Sequence, residues 1–308
     1  MQVRYIISTK SGSKDRSAFL RKLIIKVHED AEETLPNIVL TERKNHVQYL
    51  AKEWSELHGK EGLVYICGGD GSINECANAL YGSECYMGVV PFGTGNDFAK
   101  TFYPRRINQK ILKEIIEASI RPNLGKIDLL KVNDKYSINV VSMGFDTVIL
   151  RTAYKIIARF PKIGKLAYGL SVLLNLGARK QFEYMYSLSG PETKVESKGI
   201  ASLAVFANAR YYGSGFMPTP TAKVNDGLGN ALISERLNII DVLTTASKYQ
   251  KGKHLDHKKL HSYTFTEAKI SSIDHRKILA NYDGKIFETY SINFKLINDA
   301  LNFAYINL

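Results

Sequence analysis

Long apolar runs are missing from this 308-residue chain. The best candidates, Ala167–Ala178 and Ile200–Ala209, fall short of the ~18 residues a membrane-spanning helix needs, and Ser171 and Asn175 interrupt the first. The N-terminal patch Tyr5-Ile6-Ile7 is followed at once by Ser8, Thr9 and Lys10, too soon for a secretory leader. Cysteine is scarce. Cys67, Cys76 and Cys85 are odd in number and match no metal-ligand spacing, so buried reduced thiols are expected. No repeat and no low-complexity linker is present. Acidic residues are in deficit, 30 against 42 basic, for a net charge of +12. A soluble, cytoplasmic protein with anionic partners is expected: nucleotides, nucleic acid or anionic lipid headgroups. No recognised nucleic-acid module accompanies the charge, so nucleic acid is not expected.

What is there suits a globular chain of two domains, since 308 residues exceed what one core usually organises. The first ~120 residues alternate in pattern. Val3–Ser8, Ile38–Leu40, Leu63–Cys67 and Tyr86–Val90 read as strands. Helical spacings run through Phe19–Val27, Val47–Leu57, Ile73–Leu80 and Ile111–Ile116. Such alternation predicts a parallel sheet covered by helices. Near Pro122 the pattern changes. Lys126–Val132 and Lys135–Val141 read as a hairpin, and residues 146–177 as helical with a break at Pro161 and Gly164. Strand-like segments follow: Tyr184–Leu188, Gly199–Ala207, Gly229–Ser234, Tyr263–Ile273, Lys277–Tyr282 and Ile286–Phe294, with one helix near Ile239–Lys251. An antiparallel second domain is expected.

Two glycine-rich turns stand at the ends of neighbouring predicted strands. Gly68-Gly69-Asp70-Gly71-Ser72 precedes a helix expected to start at Ser72. Its backbone N–H groups and the helix N-terminus suit a phosphate, while a plain tight turn capped by Asp70 is the competing reading. A carboxylate beside phosphate calls for a cation such as Mg²⁺. The second turn, Pro91 to Ala99, offers Gly93, Thr94, Gly95, Asn96 and Asp97. Two such loops side by side at the carboxyl edge of a parallel sheet favour phosphate binding over two unrelated turns.

With Asn74-Glu75 and the Pro91–Ala99 segment, these turns resemble the diacylglycerol-kinase-type lipid kinases, including sphingosine-kinase catalytic regions. Ser11-Gly12 with Lys14 resembles the family's first phosphate loop. Asp128, Asn139, Gly144-Phe145-Asp146, Asn208, Tyr211-Tyr212-Gly213, Asp226-Gly227-Leu228, Gly252 and His254 continue the likeness over nearly the whole chain. The resemblance implies a phosphofructokinase-like nucleotide-binding α/β domain, a parallel sheet with helices on both faces (residues 1–125, with 292–308 returning to it). It also implies an antiparallel β-sandwich-like lipid-substrate domain (126–291). ATP and Mg²⁺ are the implied cofactors, and a lipid at an anionic membrane surface the implied partner. By position, Ser11, Gly12, Thr41, Gly68, Gly69, Asp70, Gly71, Ser72, Ile73, Asn74, Gly93, Thr94 and Asn96 resemble nucleotide contacts. Asp70, Asp97 and Asp128 resemble an acidic network around catalytic Mg²⁺. A structural Mg²⁺ would use the Asp226 side chain with the carbonyls of Lys223 and Leu228, where an ordinary turn is the alternative. Oligomeric state is not given, and a homodimer is allowed for.

Two departures stand out. Ser8 replaces the family's Asn, which predicts weaker nucleotide positioning. Lys285, in Asp283-Gly284-Lys285, replaces the Glu that resembles a general base. A lysine of ordinary pKa ~10.4 is charged at neutral pH and takes no proton, so Asp283 or Glu288 is a candidate substitute. The implied activity is transfer of the ATP γ-phosphate to a lipid hydroxyl. The alternatives are a nucleotide-binding relative with little turnover and an NAD-kinase-like small-molecule kinase. Two basic segments, Lys248–His261 and the Lys155/Arg159/Lys162/Lys165 patch beside Ile156, Ile157, Phe160 and Ile163, suit a membrane surface or a solvated helix equally.

Overall fold

The computed structural model describes residues 1–9, 15–103, 106–160, 163, 166–175 and 181–308, without the side chain of Tyr168. Two compact units emerge: Met1–Asp128 with Asp299–Leu308, and Leu129–Asn298.

In the first unit, β1 (Gln2–Ile7), α1 (Ser17–Asp30), β2 (Asn37–Leu40), α2 (His46–His58), β3 (Gly62–Gly68), α3 (Asp70–Leu80), β4 (Tyr86–Pro91) and α4 (Gln109–Ser119) alternate. β3 is an apolar run buried at all seven positions, while the edge strand β2 is only half-buried. That is the signature of a parallel sheet between helix layers. The order is β2-β1-β3-β4, all parallel, with α1 against α4 and α2 against α3. The chain leaves this unit along β5 (Asn123–Val132) and returns along the end of β16 (Ser291–Tyr305), where Phe303 pairs in parallel with Met87 of β4. Tyr65 explains Gly88: a methyl there would lie 2.2 Å from the Tyr65 ring.

The second unit holds β6 (Lys135–Ser137), β7 (Val140–Gly144), α5 (Phe145–Arg159), α6 (Leu166–Asn175), β8 (Phe182–Ser189), β9 (Lys194–Ala201), β10 (Leu203–Ala207), β11 (Gly229–Ser234), α7 (Ile239–Gln250), β12 (Leu260–Phe265), β13 (Glu267–Ser272), β14 (Ile278–Tyr282) and β15 (Lys285–Thr289). One antiparallel sheet runs β12-β11-β10-β7-β14-β15, and the other runs β16-β13-β8-β9. Their inward residues share one core, with Phe206 of the first stacked on Phe294 of the second at 4.0 Å between ring centres. This is an antiparallel sandwich.

Three predicted strands prove to be two each. Gly199–Ala207 divides at Ser202, Tyr263–Ile273 at Thr266, and Ile286–Phe294 at Tyr290. At each break the chain leaves one sheet of the sandwich for the other. The predicted hairpin partner Lys135–Val141 likewise divides, into β6 and β7. A one-residue interruption leaves the apolar pattern intact on both sides, so periodicity merges the halves.

Candidate functional site

The carboxyl ends of the first unit's strands form one edge. Register places Ile7 opposite both Leu40 and Cys67, and Gly68 opposite Pro91. Beyond them, Ser8 N donates to Cys67 O (2.9 Å), Thr41 N to Ile7 O (2.9 Å) and Phe92 N to Gly68 O (3.1 Å). Ser8, Thr41, Gly68 and the second loop therefore lie side by side. The strand order reverses direction beside β1, and crevices at such switch points are where open α/β sheets take ligands. Thr41 is buried and locked to Thr9, whose N–H donates to Thr41 Oγ1 (3.2 Å) while Thr9 Oγ1 donates to Thr41 O (2.7 Å).

The first glycine turn is tighter than expected. Gly69, with extended backbone (φ −97°, ψ −178°), caps α3, and the helix starts at Asp70, not at Ser72. Within the helix ladder, Ile73 N donates to Gly69 O (3.1 Å), so the N–H groups of Asp70, Gly71 and Ser72 precede that ladder at the positive end of the helix dipole. The glycines serve close approach here, since none of Gly68, Gly69 or Gly71 adopts positive φ. A methyl on Gly93 would stand 2.4 Å from Gly69 Cα, and one on Gly68 would stand 2.8 Å from Ser72 Cβ. The two loops thus meet backbone to backbone. A methyl on Gly71 meets nothing within 4 Å.

The second loop is braced by its own amide. Gly93 N donates to Asn96 Oδ1 (2.8 Å) and Asn96 Nδ2 donates to Gly93 O (3.0 Å), with Asn96 at φ +53°. Asn96, expected as a nucleotide contact, shapes the loop. Thr94 is exposed at its tip, whereas Ile73 and Asn74 are buried in α3.

Asp70 and Asp97 come together. A methyl built on Gly95 would lie 3.0 Å from Asp70 Oδ2 and 3.6 Å from Asp97 Oδ2, so both carboxylates crowd one point. Phe98 N donates to Asp70 Oδ1 (2.9 Å), and Lys100 Nζ donates to Asp97 Oδ1 (2.5 Å). Burial, then the neighbouring Asp97 charge, pushes the Asp70 carboxyl up to about 6 against the pull of these donors. Asp128 is fully buried and accepts from Asp299 N (2.9 Å), tying β5 to β16. Among the described residues no set of three or more His, Cys, Asp or Glu side chains converges as a metal cluster. Ser11 and Gly12 lie outside the described residues. Sequence reasoning passed over Lys100, whose signal was its position three after Asp97. It also passed over Arg16, whose guanidinium sits 4.8 Å over the Phe92 ring at the base of the second loop.

In the second unit, Asp283 and Gly284 both have positive φ (+45° and +85°) and form the two-residue turn between β14 and β15, with Tyr282 paired to Lys285. Asp283 is expected above as a substitute base, but its carboxylate is a clamp. It accepts from Ser137 Oγ (2.8 Å) and from the N–H groups of Ile138 (2.9 Å), Asn139 (3.2 Å) and Val140 (3.0 Å). Lys285 is exposed, its ammonium 5.6 Å from the Tyr282 ring centre. Glu288, three residues along β15, takes the opposite face of the strand and faces Arg151 at 3.8 Å. Asp226 is exposed and accepts from Leu228 N (3.1 Å) around Gly227 at φ +73°, with Lys223 exposed nearby in the chain. An aspartate accepting from the N–H two residues on is a common brace for such a turn. His254 is buried against Pro218 O (3.1 Å), a packing role.

Two family models match successive parts of the chain. Residues 2–132 match the family model described as the diacylglycerol kinase catalytic domain, and residues 139–305 the one described as the YegS C-terminal NAD kinase beta sandwich-like domain. A protein named diacylglycerol kinase from Mycobacterium tuberculosis is 28% identical over 223 residues, covering 72% of this chain and 69% of its own. A Shewanella frigidimarina protein named "Probable lipid kinase YegS-like" is 25% identical over 309 residues, covering 99% and 94%. A crystal structure titled as a diacylglycerol kinase from Bacillus anthracis shares the fold, with a TM-score of 0.73 at 18% identity over 99% of this chain and 96% of that one.

Proposed function

Because this chain belongs to the diacylglycerol-kinase-type lipid kinase family, we propose that it transfers the γ-phosphate of ATP to the hydroxyl of diacylglycerol or a related lipid, with Mg²⁺. The observation that carries this reading is the convergence of Asp70 and Asp97 beside the first turn of α3. Two carboxylates share that point with the Lys100 ammonium. An all-oxygen, net-negative pair fits a hard divalent cation, which when bound neutralises phosphate charge.

The chain's own groups then divide the work. The N–H groups at the start of α3 hold phosphate oxygens, and the backbone contact of Gly69 with Gly93 fixes the spacing of the two loops. Lys100 holds Asp97 in place through its hydrogen bond. The lipid oxygen forms its bond to the γ-phosphorus as the bond to the ADP oxygen breaks, and the hydroxyl proton leaves to water. Positioning and electrostatics supply most of the rate in such transfers.

A second reading has its own observation. At the family's base position stands exposed Lys285, the neighbouring Asp283 is clamped, and Glu288 lies on the other strand face. This favours slow turnover, because a general base is typically worth ~10²–10⁴-fold.

Purified protein, labelled ATP, Mg²⁺ and mixed micelles carrying a panel of lipid acceptors test both. Labelled lipid that disappears with Asp97→Asn supports kinase action. Nucleotide binding without labelled product supports the second reading. If saturating Mg-ATP leaves thermal stability unchanged, both fail.

A further inference from the structure

The sandwich sheet β16-β13-β8-β9 ends on β9, and among the described residues β8 is the only strand that pairs with it. The far side of β9 therefore presents backbone N–H and C=O groups that β8 does not take, a template for one more strand. The side chains of β9 alternate. Lys194, Glu196, Lys198 and Ile200 are exposed on one face. Val195 and Gly199 are half-buried on the other, where Val195 packs against the sandwich core. Lysines on a sheet edge ordinarily repel a second strand. Here Glu196 stands between them, and that changes what the edge accepts.

The edge is complementary to itself in one register. Two copies of β9 lying antiparallel about a two-fold axis must centre on a residue, because residues paired across the axis share a face. Centring on Glu196 sets that carboxylate against its own copy and Lys194 against Lys198 of the second copy. Centring on Lys198 sets that lysine against itself. Centres nearer either end of the strand shorten the overlap. Centring on Ser197 overlaps the strand from Lys194 to Ile200 and sets Glu196 opposite Lys198 of the second copy, twice by symmetry. On the other face the same register places Val195 opposite Gly199, large beside small, and Ser197 opposite Ser197. Opposite charges across a strand pair are stabilising and like charges destabilising. We propose that the β9 edge is an isologous interface, at which a second copy of this chain extends the sheet by pairing β9 with β9 about Ser197. The inference does not depend on the kinase reading.

The test reads sedimentation velocity and amide hydrogen exchange on the full chain. It compares wild type with Lys198→Glu, with Glu196→Lys and with the double variant Glu196→Lys/Lys198→Glu. These substitutions change exposed side chains, so wild-type circular dichroism and melting are expected of every variant. The wild type should sediment as a dimer as concentration rises, with the amides of residues 194–200 exchanging more slowly in the dimer than in the monomer. Each single variant sets like charges opposite in both pairs and is expected to weaken the dimer by about tenfold or more. The double variant restores opposite charges with the signs exchanged and should associate as the wild type does. A wild type that stays monomeric at every concentration overturns the proposal. So does a dimer that neither single variant weakens, because its interface then lies elsewhere. A double variant as weak as the single ones overturns it too, because the charges then do not meet in this register.

Discussion

Asp70 is a residue whose burial and partner oppose its own charge. Its carboxyl titrates near 6 in the folded protein, above the ordinary carboxylate value. The folded state thus keeps a proton that the unfolded chain gives up, and the stability this supplies is lost as pH rises from about 4 to 6. Asp70→Asn is expected to raise the unfolding free energy at pH 7.5 by about 1–2 kcal/mol, discounted because the side chain is only partly buried, and by nothing near pH 4. Thermal melts at the two pH values check the sign. Kinase activity should fall by more than ~10²-fold in the same variant. Buried Asp146, also pushed up to about 6 by burial, adds a slope of the same sign that the substitution leaves in place. Lys285→Glu restores a carboxylate at the turn. If the proton acceptor is what the chain lacks, lipid phosphorylation should rise by ~10-fold or more with nucleotide affinity unchanged. A well-folded variant at the wild-type rate counts against that account. The site was only half legible at this scale. Composition of the loops marks Asp70 and Asp97, but the bracing roles of Asn96 and Asp283 depend on positive φ and on donors brought from other segments.

Elements carry the loop geometry. The sequence reveals each strand–turn–helix unit of the first half because covered parallel strands are uninterrupted apolar runs. It conceals the sheet switches at Ser202, Thr266 and Tyr290, where a single residue separates strands that alternate in the same manner. Glycines divide by geometry as well. Gly93→Ala pushes a methyl to 2.4 Å from Gly69 Cα. A stability loss of about 1–3 kcal/mol is expected, with nucleotide binding weakened because the loops separate. Gly71→Ala meets open space in a helical position. The protein should gain about 0.5–1 kcal/mol, yet bind nucleotide more weakly, since the methyl stands among the N–H groups at the helix start. Denaturant melts paired with calorimetric titration of Mg-ATP separate the two effects. A Gly71→Ala protein that binds as tightly as wild type argues against phosphate at this helix end.

At the scale of the molecule, the first unit is discontinuous in sequence. Asp299–Leu308 contributes buried Leu301, Phe303, Ala304 and Ile306, and Phe303 stacks on Phe102 at 5.2 Å. Deleting these ten residues removes on the order of 5 kcal/mol or more of apolar burial, comparable with the whole stability of many domains. The shortened protein is expected in the insoluble fraction, and a soluble, cooperatively melting product would contradict this division. The same arrangement sets a timetable for biosynthesis. The strand Tyr86–Pro91 leaves the ribosome long before Phe303 exists to flank it. At ordinary elongation rates the nascent chain waits on the order of ten to forty seconds with that flank open, an interval in which a chaperone has an unpaired β surface to guard.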